Sequence, residues 1–150
     1  MIRTHTCNQL TSEDLGRTVA LAGWVSSIRD HGGVKFLDLR DHYGITQIVI
    51  HNESVLEGIT RESTIAVTGE VVARDEDTIN PKLDTGYVEV HIDSLKLLGS
   101  CKNMMPFDIL ESRKTKEDVR LKYRYLDLRN PKMHENIVLR SQLISFLRSE

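Results

Sequence analysis

Residues 23–50 read GWVSSIRDHGGVKFLDLRDHYGITQIVI, and this stretch decides the fold. In Phe36-Leu37-Asp38-Leu39-Arg40 the two-residue period of a strand sends Leu37 and Leu39 to one face. Phe36, Asp38 and Arg40 go to the other, and since the leucine face must be the core side, Phe36 is an aromatic ring on the polar face. His31-Gly32-Gly33 is a hairpin signal, because glycine takes the positive φ that tight turns need. Asp41-His42-Tyr43-Gly44 is a second turn, followed by a strand over Ile45–His51. There Ile48 and Ile50 point inward, so Gln47 points outward on the side of Phe36. Arg29 stands near the end of the first strand, just before the hairpin.

Outward from this centre the first strand alternates through Val19, Leu21, Gly23 and Val25 and ends at Asp30, with Trp24 expected in the core. Asn52 offers an N-cap to a short helix through Val55, Leu56 and Ile59. A fourth strand fits Thr64–Arg74, with Ile65, Val67, Val71 and Ala73 on one face. The segment Asp75–Gly86 has turn composition and no period. A fifth strand begins at Tyr87, and its alternation slips near Asp93-Ser94, the mark of a bulge. Five strands with a short helix between the third and fourth match the order of an OB-fold, a small Greek-key barrel. The fold class is therefore mainly β, with the barrel over residues 1–99.

After Gly99 the character changes. Residues 100–125 read as a hinge or linker, basic and in part helical from Lys114 to Tyr125. Pro131 suits the first turn of a helix whose Ile137, Leu139, Leu143, Ile144 and Leu147 give a broad apolar face. A helix draws most of its stability from tertiary partners, so residues 126–150 are expected to be the start of a larger second domain that the chain does not complete.

Composition narrows the function. The 150 residues are 39% hydrophobic and 28% charged, with a formal charge of −2, ordinary values for a globular chain. No run approaches a membrane span, and the N-terminus lacks a signal-peptide core. Cys7 and Cys101 are far apart without a CxxC pair, so a reducing cytoplasm is the default. Residues 1–99 hold 9 Lys and Arg against 15 Asp and Glu, a net of −6, and residues 100–150 hold 11 against 7, a net of +4. If the acidic head binds nucleic acid, placed hydrogen bonds and stacking must carry the selectivity, not bulk attraction. Phosphate-binding glycine loops, HExxH and nucleophile triads are all missing, and Asp75-Glu76-Asp77 lacks the Gly and Glu a calcium loop needs. No catalytic or metal residue is assigned.

The outward face of strands two and three is where an OB-fold takes single-stranded nucleic acid. A flat ring at Phe36 can stack on a base, worth about 1–3 kcal/mol, while Arg29 and Gln47 read base edges. Glu89, outward on the fifth strand, and Asn80, in the long loop, complete such a site. Each residue alone also has an ordinary explanation. Phe36 can be covered by the 75–86 loop, Arg29 and Arg40 can pair with Asp30, Asp38 or Asp41, Glu89 can be a solvated strand residue, and His31 a turn residue.

Taken together, the quoted stretch, VTGEVVARDEDTINPKLDTGYVEV at 67–90 and RLKYRYLDLRNP at 120–131 resemble the N-terminal part of bacterial-type aspartyl-tRNA synthetases. The first stretch alone would also suit lysyl or asparaginyl relatives. The resemblance implies an OB-fold that binds a tRNA anticodon stem-loop, then a hinge, then the beginning of a class II catalytic domain. It implies that Phe36 stacks on the middle anticodon base, that Arg29, Gln47 and Glu89 hydrogen-bond to bases, and that Asn80 does so from its loop. His31 and Thr78 stand where the family commonly has Leu and Asn, positions associated with whether asparagine tRNA is accepted besides aspartate tRNA; His31 leans toward the relaxed form. Ser26 and Ser27 replace frequent arginines, which implies fewer phosphate contacts. ATP and Mg2+ are expected of the longer parent, a homodimer through its catalytic domain, and no cofactor and no catalysis of these 150 residues. The alternatives are a sequence-tolerant single-strand binding module, the corresponding domain of a lysyl- or asparaginyl-tRNA synthetase, or a structural role in which the C-terminal helix docks a partner chain.

Overall fold

The computed structural model describes residues 2–102 and 104–149. The chain divides into two compact units, Met1–Lys102 and Asn103–Glu150. In the first, five strands form a closed barrel: β1 (Thr18–His31), β2 (Val34–Arg40), β3 (Ile45–Ile50), β4 (Thr64–Ala73) and β5 (Val88–Gly99). Their order around the barrel is β1-β2-β3-β5-β4, the Greek-key arrangement expected of an OB-fold. All pairs are antiparallel except β3 with β5.

The inward rows are those the period of two selects. Val19, Leu21 and Val25 of β1, Leu37 and Leu39 of β2, Ile48 and Ile50 of β3 and Val88 and Val90 of β5 form one buried cluster. Gly32 (φ 63°) and Gly33 (φ 99°) turn the β1–β2 hairpin in the left-handed region. Asp93 is the extra residue of a bulge, since Thr68 pairs with Ser94 and Gly69 with Ile92. Opposite that bulge a Cβ on Gly69 would lie 2.2 Å from the His91 carbonyl oxygen, so the strands approach too closely for any side chain there.

Three expectations are corrected. Trp24 is half-buried and lies outside the core cluster; as the even-numbered neighbour of Gly23 and Val25 it faces outward and meets His42 edge-on. The helix expected after Asn52 is a single 3₁₀ turn over Glu53–Leu56, although Asn52 does cap it by accepting from the Ser54 N–H. Arg40 pairs with Glu62, both its carboxylate oxygens 3.0 Å from Arg40 Nη2, and not with a nearby aspartate. Cys7 is buried, and burial pushes its thiol well above the ordinary value, so it is unreactive.

The second unit has its own small core of Phe107, Ile109 and Leu126, flanked by Met105, Val119 and Tyr123. Its helices are α1 (Glu117–Lys122), α2 (Arg124–Asp127) and α3 (Pro131–Ser149). Asn130 caps α3 through Oδ1, which accepts from the Lys132 N–H at 3.0 Å, and Pro131 fills the first position, where no N–H is needed. Ile137, Leu139, Leu143, Ile144 and Leu147 of α3 are exposed.

Asp127 is fully buried in this unit and accepts from Ser112 Oγ (2.8 Å), Arg120 Nε (3.0 Å) and Nη2 (3.2 Å), and Arg124 Nη1 (2.6 Å). Burial alone would raise its pKa, but the hydrogen bonds from Arg120 and Ser112 and the charges of Arg120 and Arg124 hold it below the ordinary 3.8. A carboxyl whose folded pKa is depressed stabilises fully above its unfolded value and loses that contribution as pH falls through the folded one. The second unit should therefore lose stability below about pH 4, and Asp127→Asn should cost roughly 1.5–3 kcal/mol at neutral pH and flatten the acid dependence. Amide cross-peaks of Phe107 and Leu126 followed by NMR through an acid titration measure both effects.

Candidate nucleic-acid interface

The strand registers assemble the outward face in rows. Arg29 of β1 is opposite Phe36 of β2, Phe36 opposite Val49 of β3, and Val49 opposite His91 of β5. In the next row Ser27 is opposite Asp38 and Asp38 opposite Gln47. Over these rows lies an open cleft of about 560 Å³, lined by Arg29, His31, Phe36, Asp38, Ile45, Gln47, Arg74, Thr78, Asn80 and Leu83. The Phe36 ring is half-buried and forms part of the cleft wall, with the His31 ring edge-on to it at 5.5 Å. An aromatic face in such a cleft suits stacking by a planar group.

Beside the ring runs a hydrogen-bonded chain. Arg29 Nη2 donates to Asp38 Oδ1 at 2.8 Å and to Gln47 Oε1 at 3.3 Å. Gln47 Nε2 donates to Glu89 Oε2 at 2.9 Å, and Ser27 Oγ donates to Asp38 Oδ2 at 2.6 Å. Guanidinium only donates and carboxylate only accepts, so the buried Gln47 amide has one permitted orientation. Arg29 thus makes the surface ion pair with Asp38 that ordinary chemistry offers, and the same bond aims it at the cleft.

The far wall is the 75–86 loop. Asn80 N–H donates to the Gly86 carbonyl at 3.1 Å, and Asn80 Oδ1 accepts from the Lys82 N–H at 3.1 Å. Thr78 ends a 3₁₀ turn over Glu76–Thr78 and donates its hydroxyl to the Asp75 carbonyl at 2.9 Å. The structure thus brings Arg29, His31, Phe36, Gln47, Thr78 and Asn80 to one cleft; Glu89 stands behind Gln47 and does not line it.

Arg74 is the residue that sequence reasoning missed. It is 8% exposed, donates from Nε to the Val88 carbonyl at 3.0 Å and from Nη1 to the Thr78 carbonyl at 3.5 Å. Its buried Nη2 has no hydrogen-bond partner among the described residues. Burial pulls its pKa down, with the charges of Glu89 and Asp38 opposing. An unsatisfied buried donor costs about 1–3 kcal/mol, which an acceptor entering the cleft would recover. The available signal was a cation at the end of a strand, entering the loop, on the outward parity.

A closed five-stranded barrel with an aromatic and hydrogen-bonding cleft on β1, β2 and β3 defines an OB-fold of the ligand-binding kind. Residues 19–98 match the family model described as the OB-fold nucleic acid binding domain of the tRNA anticodon type, and the chain belongs to that family. It is 49% identical over 152 aligned residues to the aspartate–tRNA(Asp/Asn) ligase of Pelagibacter ubique, covering 99% of this chain and 25% of the relative. It is 48% identical over 152 residues to the aspartate–tRNA ligase of Streptomyces coelicolor, covering 99% of this chain and 26% of that one. The chain therefore spans about a quarter of the length of these relatives. Among solved structures it is similar to the asparaginyl-tRNA synthetase of Pyrococcus horikoshii, with a TM-score of 0.77 and 29% identity over 99% of this chain and 35% of that one. The resemblance to aspartyl-tRNA synthetases holds along nearly the whole chain.

The loop wall rests on one close approach. A Cβ on Gly86 would lie 1.8 Å from the Asn80 carbonyl oxygen, so Gly86→Ala must displace the Asn80 segment. The expected outcome is a barrel that still folds, at a cost of about 1–3 kcal/mol, with faster amide exchange confined to residues 76–86. Exchange mass spectrometry of the two proteins compares them directly.

Proposed function

We propose that this chain binds a tRNA anticodon stem-loop in the cleft and is the anticodon-reading part of an aspartate–tRNA ligase. The carrying observation is the Phe36 ring set beside the Arg29–Gln47–Glu89 chain and the uncommitted Arg74 Nη2. Phe36 takes the face of an unstacked base. Arg29, Gln47, Asn80 and Arg74 offer donors and acceptors to base edges, with Glu89 fixing the Gln47 amide. A wrong base leaves these groups unpaired, and that loss supplies discrimination where the −6 charge of residues 1–99 cannot supply attraction.

The longer ligase of this reading attaches aspartate to tRNA with ATP and Mg2+, as a homodimer in the cytoplasm. Among the described residues no group of three or more His, Cys, Asp or Glu side chains is placed to hold a metal ion. No helix among the described residues is long and apolar enough to cross a membrane. His31, edge-on to Phe36, and Thr78, on the facing loop, both line the cleft, and it is the resemblance that associates these two positions with acceptance of asparagine tRNA. The relaxed specificity that His31 favours is also in the name of the Pelagibacter relative.

Phe36→Ala should weaken binding of an anticodon stem-loop by about 1–3 kcal/mol with the thermal transition of the barrel retained. Unchanged affinity in a fluorescence titration would return Phe36 to a purely structural role. Binding with a steep salt slope and no base preference would instead mark a sequence-tolerant single-strand module. Stem-loops carrying the aspartate and asparagine anticodons should bind with affinities within about tenfold of each other, less than one mismatched polar contact at the strict end costs.

A further inference from the structure

His91 closes the hydrogen-bonded chain at its far end. Its Nε2 lies 2.9 Å from Glu89 Oε1, while Glu89 Oε2 accepts from Gln47. The carboxylate only accepts in that bond, so Nε2 carries a proton, while Nδ1 is turned toward His51 Nε2 at 3.5 Å. The His91 backbone is pinned on both sides, opposite Val49 of β3 and Glu70 of β4. Gly69 sits against its carbonyl and the Asp93 bulge follows directly. The barrel thus fixes where its backbone stands and which face its side chain takes, and the bond to Glu89 orients the part-exposed ring.

The torsion that turns a glutamate carboxylate is soft, and a single hydrogen bond leaves the plane free to rotate. Two donors, one on each oxygen, fix it. With the plane fixed, Oε2 stays on the Gln47 amino group, and the amide keeps Oε1 toward Arg29.

We propose that His91 is a positioning residue of the cleft: its bond to Glu89 holds the Gln47 amide, and through it Arg29, in the arrangement that discriminates among bases. This rests on the reading of the cleft as an anticodon site. Stacking on Phe36 tolerates any base, so loss of His91 acts on selectivity more than on affinity.

The test uses the 150-residue chain and three variants: His91→Leu, which removes the donor; His91→Gln, whose amide nitrogen reaches the place of Nε2; and His91→Asn, polar but too short, for use if the leucine variant does not fold. In the RNA-free proteins the Gln47 side-chain amide resonances should shift and broaden in His91→Leu or His91→Asn and stay near their native positions in His91→Gln. The ratio of affinities for a stem-loop with the aspartate anticodon over its single-base variants should fall about three- to tenfold in His91→Leu or His91→Asn, with most of it restored by glutamine. Unmoved Gln47 resonances, or undiminished discrimination in a folded variant, overturn the proposal. If the native chain itself fails to discriminate, the anticodon reading falls, and the Gln47 resonances still decide whether His91 holds the amide.

Discussion

Two parallel rungs between β3 and β5, Ile48 with Val90 and Val49 with His91, close the barrel, and the site depends on them. They join strands more than thirty residues apart in the chain, a loop closure whose entropy only the buried rows can offset. Ile48, Ile50, Val88 and Val90 supply that burial on the inside. On the outside the same rungs bring Gln47 beside Glu89, and so determine which way an amide near the centre of the cleft must face. Core packing and recognition chemistry are thus two faces of one register, and a slip by one residue would exchange them.

The electrostatics of the barrel follow a similar logic. A net of −6 over residues 1–99 works against a polyanion at long range. The cations at the cleft are accordingly few and held: Arg29 by Asp38 and Gln47, Arg74 by the Val88 and Thr78 carbonyls. Held cations lose little further side-chain freedom when a ligand arrives, so their hydrogen bonds count toward selectivity at low entropic cost. On the proposed reading, recognition at such a surface rests on fit and not on charge accumulation.

How much of this is legible in the chain depends on the range of the interaction concerned. Strand positions, the hairpin glycines and the outward Phe36 follow from periods of two and from turn chemistry, both local, and the Asp93 bulge follows from a local slip of the same period. For Trp24 side-chain preference points inside and its parity between Gly23 and Val25 points outward, and parity wins. The segment after Asn52 has the cap of a helix but only one turn of it, because the chain must return at once to β4. The seven candidate residues emerge partly from family resemblance, and of their bonding partners the sequence offers only the aspartates near Arg29, of which Asp38 is the one it meets. Arg74 reaches the cleft only because the 75–86 loop folds back so that the Thr78 carbonyl meets it. The Glu89–Gln47–Arg29 chain needs a parallel pairing that no local pattern encodes.

The polar cluster around Asp127 and the one around the cleft are buried in different states, and the difference supports a functional reading of the second. Around Asp127 four donor contacts from Ser112, Arg120 and Arg124 saturate both carboxylate oxygens, and the structural role of the cluster is evident, since it ties α1 and α2 to the segment before them. Around the cleft saturation is incomplete, with a buried guanidinium nitrogen of Arg74 unpaired and an aromatic face beside it. Arg40 also buries an unpaired Nη1, yet it does not line the cleft, and its Nη2 is committed to both oxygens of Glu62. An unpaired buried donor is a cost without return in a purely structural network. At Arg74 it stands at the wall of an open cleft of about 560 Å³, where a planar ligand with acceptors on its edge would satisfy it while stacking on Phe36. On the proposed reading, stability given up at that one nitrogen is recovered when such a ligand binds.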